Sequence, residues 1–327
     1  MGTTQVLLWH WFAFAGLVVF LLTLDLKVFH KTDHEPSLTE STWFTIFWIA
    51  VGLAFNGFIW WWAGNEAGVK FLTGYVVEKA LSMDNIFVFV MIFKFFSIPL
   101  KYQYRVLFWG ILGAVVMRLL FVLVGVELFN RVAWVMPLFG LFLIYSAYKL
   151  IVHSGADIHP EKNIVLKTAR RFFRVTEGDH HEHGHAFFVR QNGLMYITPM
   201  FLVLLVIESS DVIFAVDSVP AIIGVTKDRF LAFTSNVFAI LGLRALYFLL
   251  AGVIDMFKYL HYGLAGVLGF IGLKMMGDYV GKEFYGHKEH LITPGMSLGI
   301  IAVILGVSIA ASILLASREQ KQKDSEE

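Results

Sequence analysis

Long unbroken runs of apolar residues, parted by short polar segments, organise the chain. A helix needs about 20 apolar residues to cross a bilayer core of about 30 Å. Nine runs suit that role: 6–26, 42–63, 69–95, 106–126, 132–152, 194–225, 230–253, 259–280 and 294–316. They are continuous, whereas the strands of an outer-membrane barrel alternate. The first run is too long for a signal peptide, lacks an N-terminal positive cluster and carries Asp25 near its end, an interfacial position. The pattern predicts an all-α polytopic membrane protein with nine transmembrane helices. Trp60, Trp61 and Trp62, ending the second run, fit an interfacial aromatic belt.

Composition agrees. Hydrophobic residues make up 57% of the 327 positions and charged ones 16%, against about 25% charged in an ordinary soluble domain. A net charge of +1 gives no electrostatic footprint for nucleic acid. The absence of cysteine removes disulfides, thiol catalysis and Cys-based metal sites. If basic residues at span ends are counted with the loops they adjoin, 16 of the 26 fall on one side of nine spans and 7 on the other. The richer side is expected to be cytoplasmic, which puts the N-terminus outside and the C-terminus in the cytoplasm. The chain then divides into two peripheral helices (1–68), a three-helix unit (69–152), a His-rich cytoplasmic loop (153–193), a second three-helix unit (194–281), and a last helix with a charged tail (282–327).

The two three-helix units resemble each other. Ser82-Met83-Asp84-Asn85-Ile86-Phe87 lines up with Ser209-Ser210-Asp211-Val212-Ile213-Phe214 at an offset of 127. Arg118 pairs with Arg244 at 126, and Lys149 with Lys274 at 125. Three spans per unit is odd, so consecutive copies enter the membrane from opposite faces: an inverted repeat of spans 3–5 and 6–8, whose interface near the midplane is the usual place for a transport site.

Charges gather at that interface. Spans 3 and 6 carry Glu78, Asp84, Glu208, Asp211 and Asp217. Each lone charge at such depth costs at least about 2.5–3.5 kcal/mol, so these acids must face one another, cations or water. Glu78, Ser82 and Asn85 share one helical face, as do Glu208, Asp211, Ala215 and Ser218. Asp84 and Asp217 each lie six residues after an earlier acid, about 240° round, and reach the same site only if the helices kink or unwind, as Pro220 and Gly224 suggest for span 6. Against five acids stand Lys79, Arg118 and Arg244, leaving two negative charges that one divalent cation, or protons, would neutralise. Oxygen donors suit Mn²⁺, Ca²⁺ or Mg²⁺, and a Met83 thioether would lean toward Mn²⁺. The metal set is thus Glu78, Asp84, Asn85, Glu208, Asp211 and Asp217, with Ser82, Ser218 and Asn236 as weaker candidates and Lys79, Arg118 and Arg244 as charge partners. Glu78 and Glu208 are open to a proton-carrying role. The bland reading is that the acids only glue helices through the basic residues, as Asn56 and Asn236 would by hydrogen bonding.

The stretch around Glu78, Asp84 and Asn85, the segment Glu208-Ser209-Ser210-Asp211-Val212-Ile213-Phe214-Ala215-Val216-Asp217-Ser218, and the later Thr234-Ser235-Asn236-Val237-Phe238-Ala239 resemble signature segments of the TerC family, over roughly residues 44–280. The nine-span length is closest to its Alx-like members. The resemblance implies an inverted-repeat fold like that of LysE-type exporters. It also implies efflux of Mn²⁺ as bound substrate through the acids named above, in a family linked to alkaline pH response and tellurite resistance. No organic cofactor is implied, and the oligomeric state is left open.

Two other classes compete. An intramembrane aspartyl protease would use two acids such as Asp84 and Asp211, but its Gly-x-Gly-Asp signature is missing, so no enzyme is expected. A membrane-protein assembly factor would need a groove and no metal. Outside the spans, His180, His181, His183 and His185 could collect metal or sense pH, or simply be solvated. Gly263, Gly266, Gly269 and Gly272, every third residue, predict close helix contact.

Overall fold

The structure is a computed structural model that describes residues 6–25, 37–132, 134–152, 163–176, 186–191, 193–251, 260–285 and 291–326. The helices are α1 (Leu8–Leu24), α2 (Leu38–Ala63), α3 (Asn65–Phe95), α4 (Leu100–Arg131), α5 (Val135–Val152) and α6 (Ile164–Phe172). A hairpin of β1 (Phe188–Gln191) and β2 (Leu194–Ile197) follows. Then come α7 (Pro199–Val225), α8 (Arg229–Leu241), α9 (Leu243–Ala251), α10 (Leu260–Tyr285) and α11 (Pro294–Glu326). Among the described residues the architecture is helical apart from that antiparallel hairpin, which pairs Phe188 with Ile197 and Gln191 with Leu194.

By length and composition six helices can cross a membrane: α2, α4, α5, α7, α10 and α11. The pair α8 and α9, bent by 41° at Gly242, makes a seventh if it counts as one span. The other two of the nine expected runs fall short for separate reasons. Helix α1 is described over 17 residues. Helix α3 has 31, but its charges, from Glu66 to Lys94, dilute its apolar character.

Local chemistry fixes the element ends. Ser37 accepts from the Glu40 amide to start α2, Asn163 accepts from the Val165 and Leu166 amides to start α6, and Asp228 does the same for α8. The sixth run, expected to be helical from residue 194, begins instead as a strand. The cause is Pro199, which holds the preceding Thr198 extended and itself takes the first helical position. Gly64, at φ +87°, allows the abrupt turn from α2 into α3.

The core centres on α8, where every residue from Phe230 to Leu241 is buried. A helix apolar on all faces must be enclosed on all faces. It packs against α3, α4 and α2. Phe238 meets Phe55 at 4.4 Å between ring centres, and Phe14 and Trp11 of α1 close on Phe230 and Phe233. Among the described residues this ring cluster ties the N-terminal helices to the second half of the chain.

The glycines of α10 serve two neighbours. Gly263 lies against Ser308 and Gly266 against Ile304 of α11, whereas Gly272 faces Gly140 and Ile144 of α5. A spacing of three slips about 60° backward per step on a helix of 3.6 residues per turn, so nine residues reach the opposite face. A Cβ on Gly272 would stand 2.7 Å from the Gly140 carbonyl oxygen, a backbone atom that cannot swing aside. Gly272→Leu is therefore expected to destabilise the protein by about 1–3 kcal/mol or more. Gly299→Leu, at a position with open space around it, should be neutral. Thermal midpoints of the two purified variants in detergent check this contrast.

Candidate functional site

Helices α3, α4, α7 and α8 meet at Arg118. The side chain rises from the middle of α4 and is almost wholly buried, at 1% exposure. Its Nη1 donates to a Glu78 carboxylate oxygen from α3, to Ser218 Oγ from α7 at 2.7 Å and to Asn236 Oδ1 from α8 at 3.5 Å. Its Nη2 stands 3.9 Å from Asp211 Oδ1, also on α7. Asn236 Nδ2 donates to the other Glu78 oxygen at 3.0 Å. One guanidinium thus faces two carboxylates, and each Glu78 oxygen has a donor. Asp211 Oδ2 and Ser82 Oγ are buried with no hydrogen-bond partner. Asp211 also lines a small cavity of about 10 Å³ with Phe89, Gly110, Ile207 and others, about the space one water needs.

A second group lies beside the first. Asp84 and Asn85 of α3, Asp217 and Ser218 of α7, Ser146 of α5 and Arg118 line a cavity of about 130 Å³. Asp217 Oδ1 accepts from Ser146 Oγ at 2.7 Å. Arg118 and Ser218 belong to both groups and join them. Glu208 stands apart. Its carboxylate lies against α4 at Gly113, where an added Cβ would strike both its oxygens.

The expected residues are therefore brought together in two adjoining sets rather than one coordination shell. Among the described residues no three His, Asp or Glu side chains converge into a ready metal-binding group. Asp84 and Asp217 do approach the site without the unwinding that their helical phase suggested, since α3 is an unbroken helix and α7 continues through Pro220. They sit about 240° round from Glu78 and Asp211, and they meet each other around a second opening instead. The break falls in the next segment instead, between α8 and α9.

Only one of the three expected charge partners neutralises the site. Lys79 donates to the Ala239 carbonyl at 3.0 Å, next to the break at Gly242. Arg244 pairs with Asp25 at 2.5 Å, both buried, so Asp25 lies inside the bundle. Asn236 hydrogen-bonds between helices as expected, and within the site. His180, His181, His183 and His185 lie outside the described residues. Ser146 and Gly113 carried no sequence signal, because a lone serine or glycine in a span is ordinary.

Comparison with known proteins adds the family. The model of the integral membrane protein TerC family matches residues 63–321. The chain belongs to the TerC family. A membrane protein of Myxococcus xanthus is 43% identical over 317 residues, covering 97% of this chain and 95% of that protein. Proteins named Alx, each described as a proposed membrane-bound redox modulator, are 41% identical over 307 residues in Salmonella typhi (91% and 93% covered) and 40% over 323 in Escherichia coli K12 (96% and 97%). No solved structure matches. As a TerC family protein with membrane-spanning helices, the chain is an integral membrane protein.

Removing one member of a buried ion pair leaves an uncompensated charge and costs about 3–5 kcal/mol. Glu78→Gln and Arg118→Gln should each destabilise the TerC protein on that scale. The double variant should lose less than the sum, with a coupling of about 2–3 kcal/mol. Unfolding midpoints of the four proteins in detergent, converted to a double-mutant cycle, give the number.

Proposed function

We propose that this protein exports a divalent cation, Mn²⁺ foremost, through the site around Arg118. The observation that carries the reading is the 130 Å³ cavity lined by Asp84, Asn85, Asp217, Ser146 and Ser218. Its donors are all oxygens, the set that suits Mn²⁺, Ca²⁺ and Mg²⁺. With Arg244 paired to Asp25 and Lys79 bonded to a carbonyl, the five acids Glu78, Asp84, Glu208, Asp211 and Asp217 keep only Arg118 as a direct ionic partner among these three bases. The negative surplus is larger than the sequence count gave. A cation taken from water, or protons on Glu78 and Glu208, would offset it. In this reading the chain is a carrier and not an enzyme, and the metal is its substrate.

The reading includes an architecture. Helix α1 and the charged α3 span the membrane with the other seven segments. The units α3–α4–α5 and α7–α8/α9–α10 form an inverted repeat. Reciprocal packing supports this: α3 lies on α8 and α7 on α4, first helix on the other unit's second, while α5 lies on α10, third on third. The basic loop bias supports an inner-membrane protein with its N-terminus outside and its C-terminus in the cytoplasm.

The name redox modulator borne by the Alx relatives offers a second reading. A chain without cysteine cannot do thiol–disulfide chemistry itself, so redox effects would be indirect.

The test measures cellular manganese by mass spectrometry in cells lacking their own Mn²⁺ exporter, under Mn²⁺ load. Wild type should lower manganese, Asp84→Asn, Asp217→Asn and Asp211→Asn should not, and Glu66→Gln, on an exposed pair with Lys70, should behave as wild type. Wild type present in the membrane with manganese unchanged would overturn the reading for this ion. Efflux retained by all three Asp variants would overturn its placement.

A further inference from the structure

The segment between α5 and α7 carries a feature that export does not use. Helix α6 reads Ile164-Val165-Leu166-Lys167-Thr168-Ala169-Arg170-Arg171-Phe172. Leu166 and Ala169 are buried, and the helix packs on α7. Val165 and Phe172, seven residues apart, share one flank and are exposed, Phe172 at 76%. Lys167, Arg170 and Arg171 occupy the opposite flank, roughly 180° away at 100° per residue. One side thus faces the protein, one flank carries Val165 and Phe172, and the other carries the cations, joined at the N-terminal end of the helix by Ile164, exposed at 79%.

Its placement gives those sides a meaning. Asn163 Nδ2 donates to Ser209 Oγ at 3.0 Å, three turns into α7. At the other end Val175 bridges to Ile197, just before α7 begins. So α6 runs beside the first half of a spanning helix, in the opposite direction. Its N-terminal end lies beside the interior of the span and its C-terminal end beside the span's start. Arg170, Arg171 and Arg174 gather at that start, with Phe172, Phe173 and, on the hairpin, Phe188, Arg190 and Met195, all exposed. A helix with Lys and Arg on one face and Phe on another is what lies in the boundary between headgroups and acyl chains. Water would not favour Phe172, Phe173, Phe188 and Met195 all exposed at one end of a span, and an apolar acyl layer would not accept four arginines.

We infer that the collar formed by the C-terminal end of α6 and the β1–β2 hairpin binds anionic lipid headgroups. Its arginines take the phosphates, and Phe172 and Phe173 enter the upper acyl region. Phosphate suits arginine because the planar guanidinium presents paired donors. A polybasic segment beside a span draws anionic lipid with a strength that falls as salt rises. The inference stands apart from the transported ion, since it uses neither cavity.

The cysteine-free chain gives a direct test. Phe172→Cys introduces a single thiol, which takes an environment-sensitive fluorophore on the full-length protein. Vesicles are made of phosphatidylcholine alone or of an equal mixture with phosphatidylglycerol. Val303→Cys, on the exposed face of α11, serves as the reference position. Emission from position 172 should shift to the blue and brighten in the mixture, the difference should fade in high salt, and position 303 should read alike in both. Adding Arg170→Glu and Arg171→Glu should abolish the difference at 172. Equal emission at 172 in both vesicles overturns the inference, as does a shift that survives charge reversal. Should the reversed variant fail to elute as a single species, the salt titration on the unreversed protein decides, and a salt-insensitive shift overturns the proposal.

Discussion

A guanidinium held almost entirely out of solvent, in the middle of a hydrophobic bundle, constrains everything around it. Arg118 would not be tolerated there alone, because an ion removed from water must recover its solvation from fixed partners. Three helices supply them: Glu78 from α3, Asp211 and Ser218 from α7, Asn236 from α8, with α4 carrying the arginine itself. Each donor and acceptor must arrive at hydrogen-bonding distance, so the mutual depth of the four helices is set at this point. Packing alone would leave such helices freer to slide, since one apolar surface in lipid resembles another. Satisfaction is incomplete on both sides, since an Asp211 oxygen and the Arg118 Nε are each buried without a hydrogen-bond partner.

The sequence revealed the helical membrane class and the pairing of Arg118 with the acids, because apolar length and buried charge leave strong signals. It was silent on which partner each charge would take. Lys79 and Arg118 look alike in a list of intramembrane bases, yet one meets carboxylates and the other a backbone oxygen. Asp25 read as interfacial because it ends an apolar run, but Arg244 holds it inside. Helical phase correctly separated Asp84 and Asp217 from Glu78 and Asp211. It could not foresee that the two outlying aspartates would share an opening of their own, since that depends on how α3, α5 and α7 turn relative to one another. The hairpin before α7 was hidden because Leu194 to Ile197 is as apolar as the helix that follows.

Glycine and small residues set the remaining close approaches. Gly113 leaves the space that the Glu208 carboxylate occupies, and Gly140 and Gly272 bring the backbones of α5 and α10 together. These contacts concern shape more than chemistry. They place the acidic face of α7 against α4 and keep Ser146 of α5 within reach of Asp217.

The bond from Lys79 to Ala239 couples two parts of the bundle that are usually thought of separately. Next to the bend at Gly242, an ammonium from α3 holds a carbonyl near the end of α8. Glu78, the adjacent residue, holds Arg118. The two side chains leave α3 about 100° apart, so both are fixed to one rigid axle. Turning α3 far enough to draw Glu78 off the arginine also draws Lys79 off the bend. The buried ion pair and the contact beside the bend therefore depend on one and the same setting of α3.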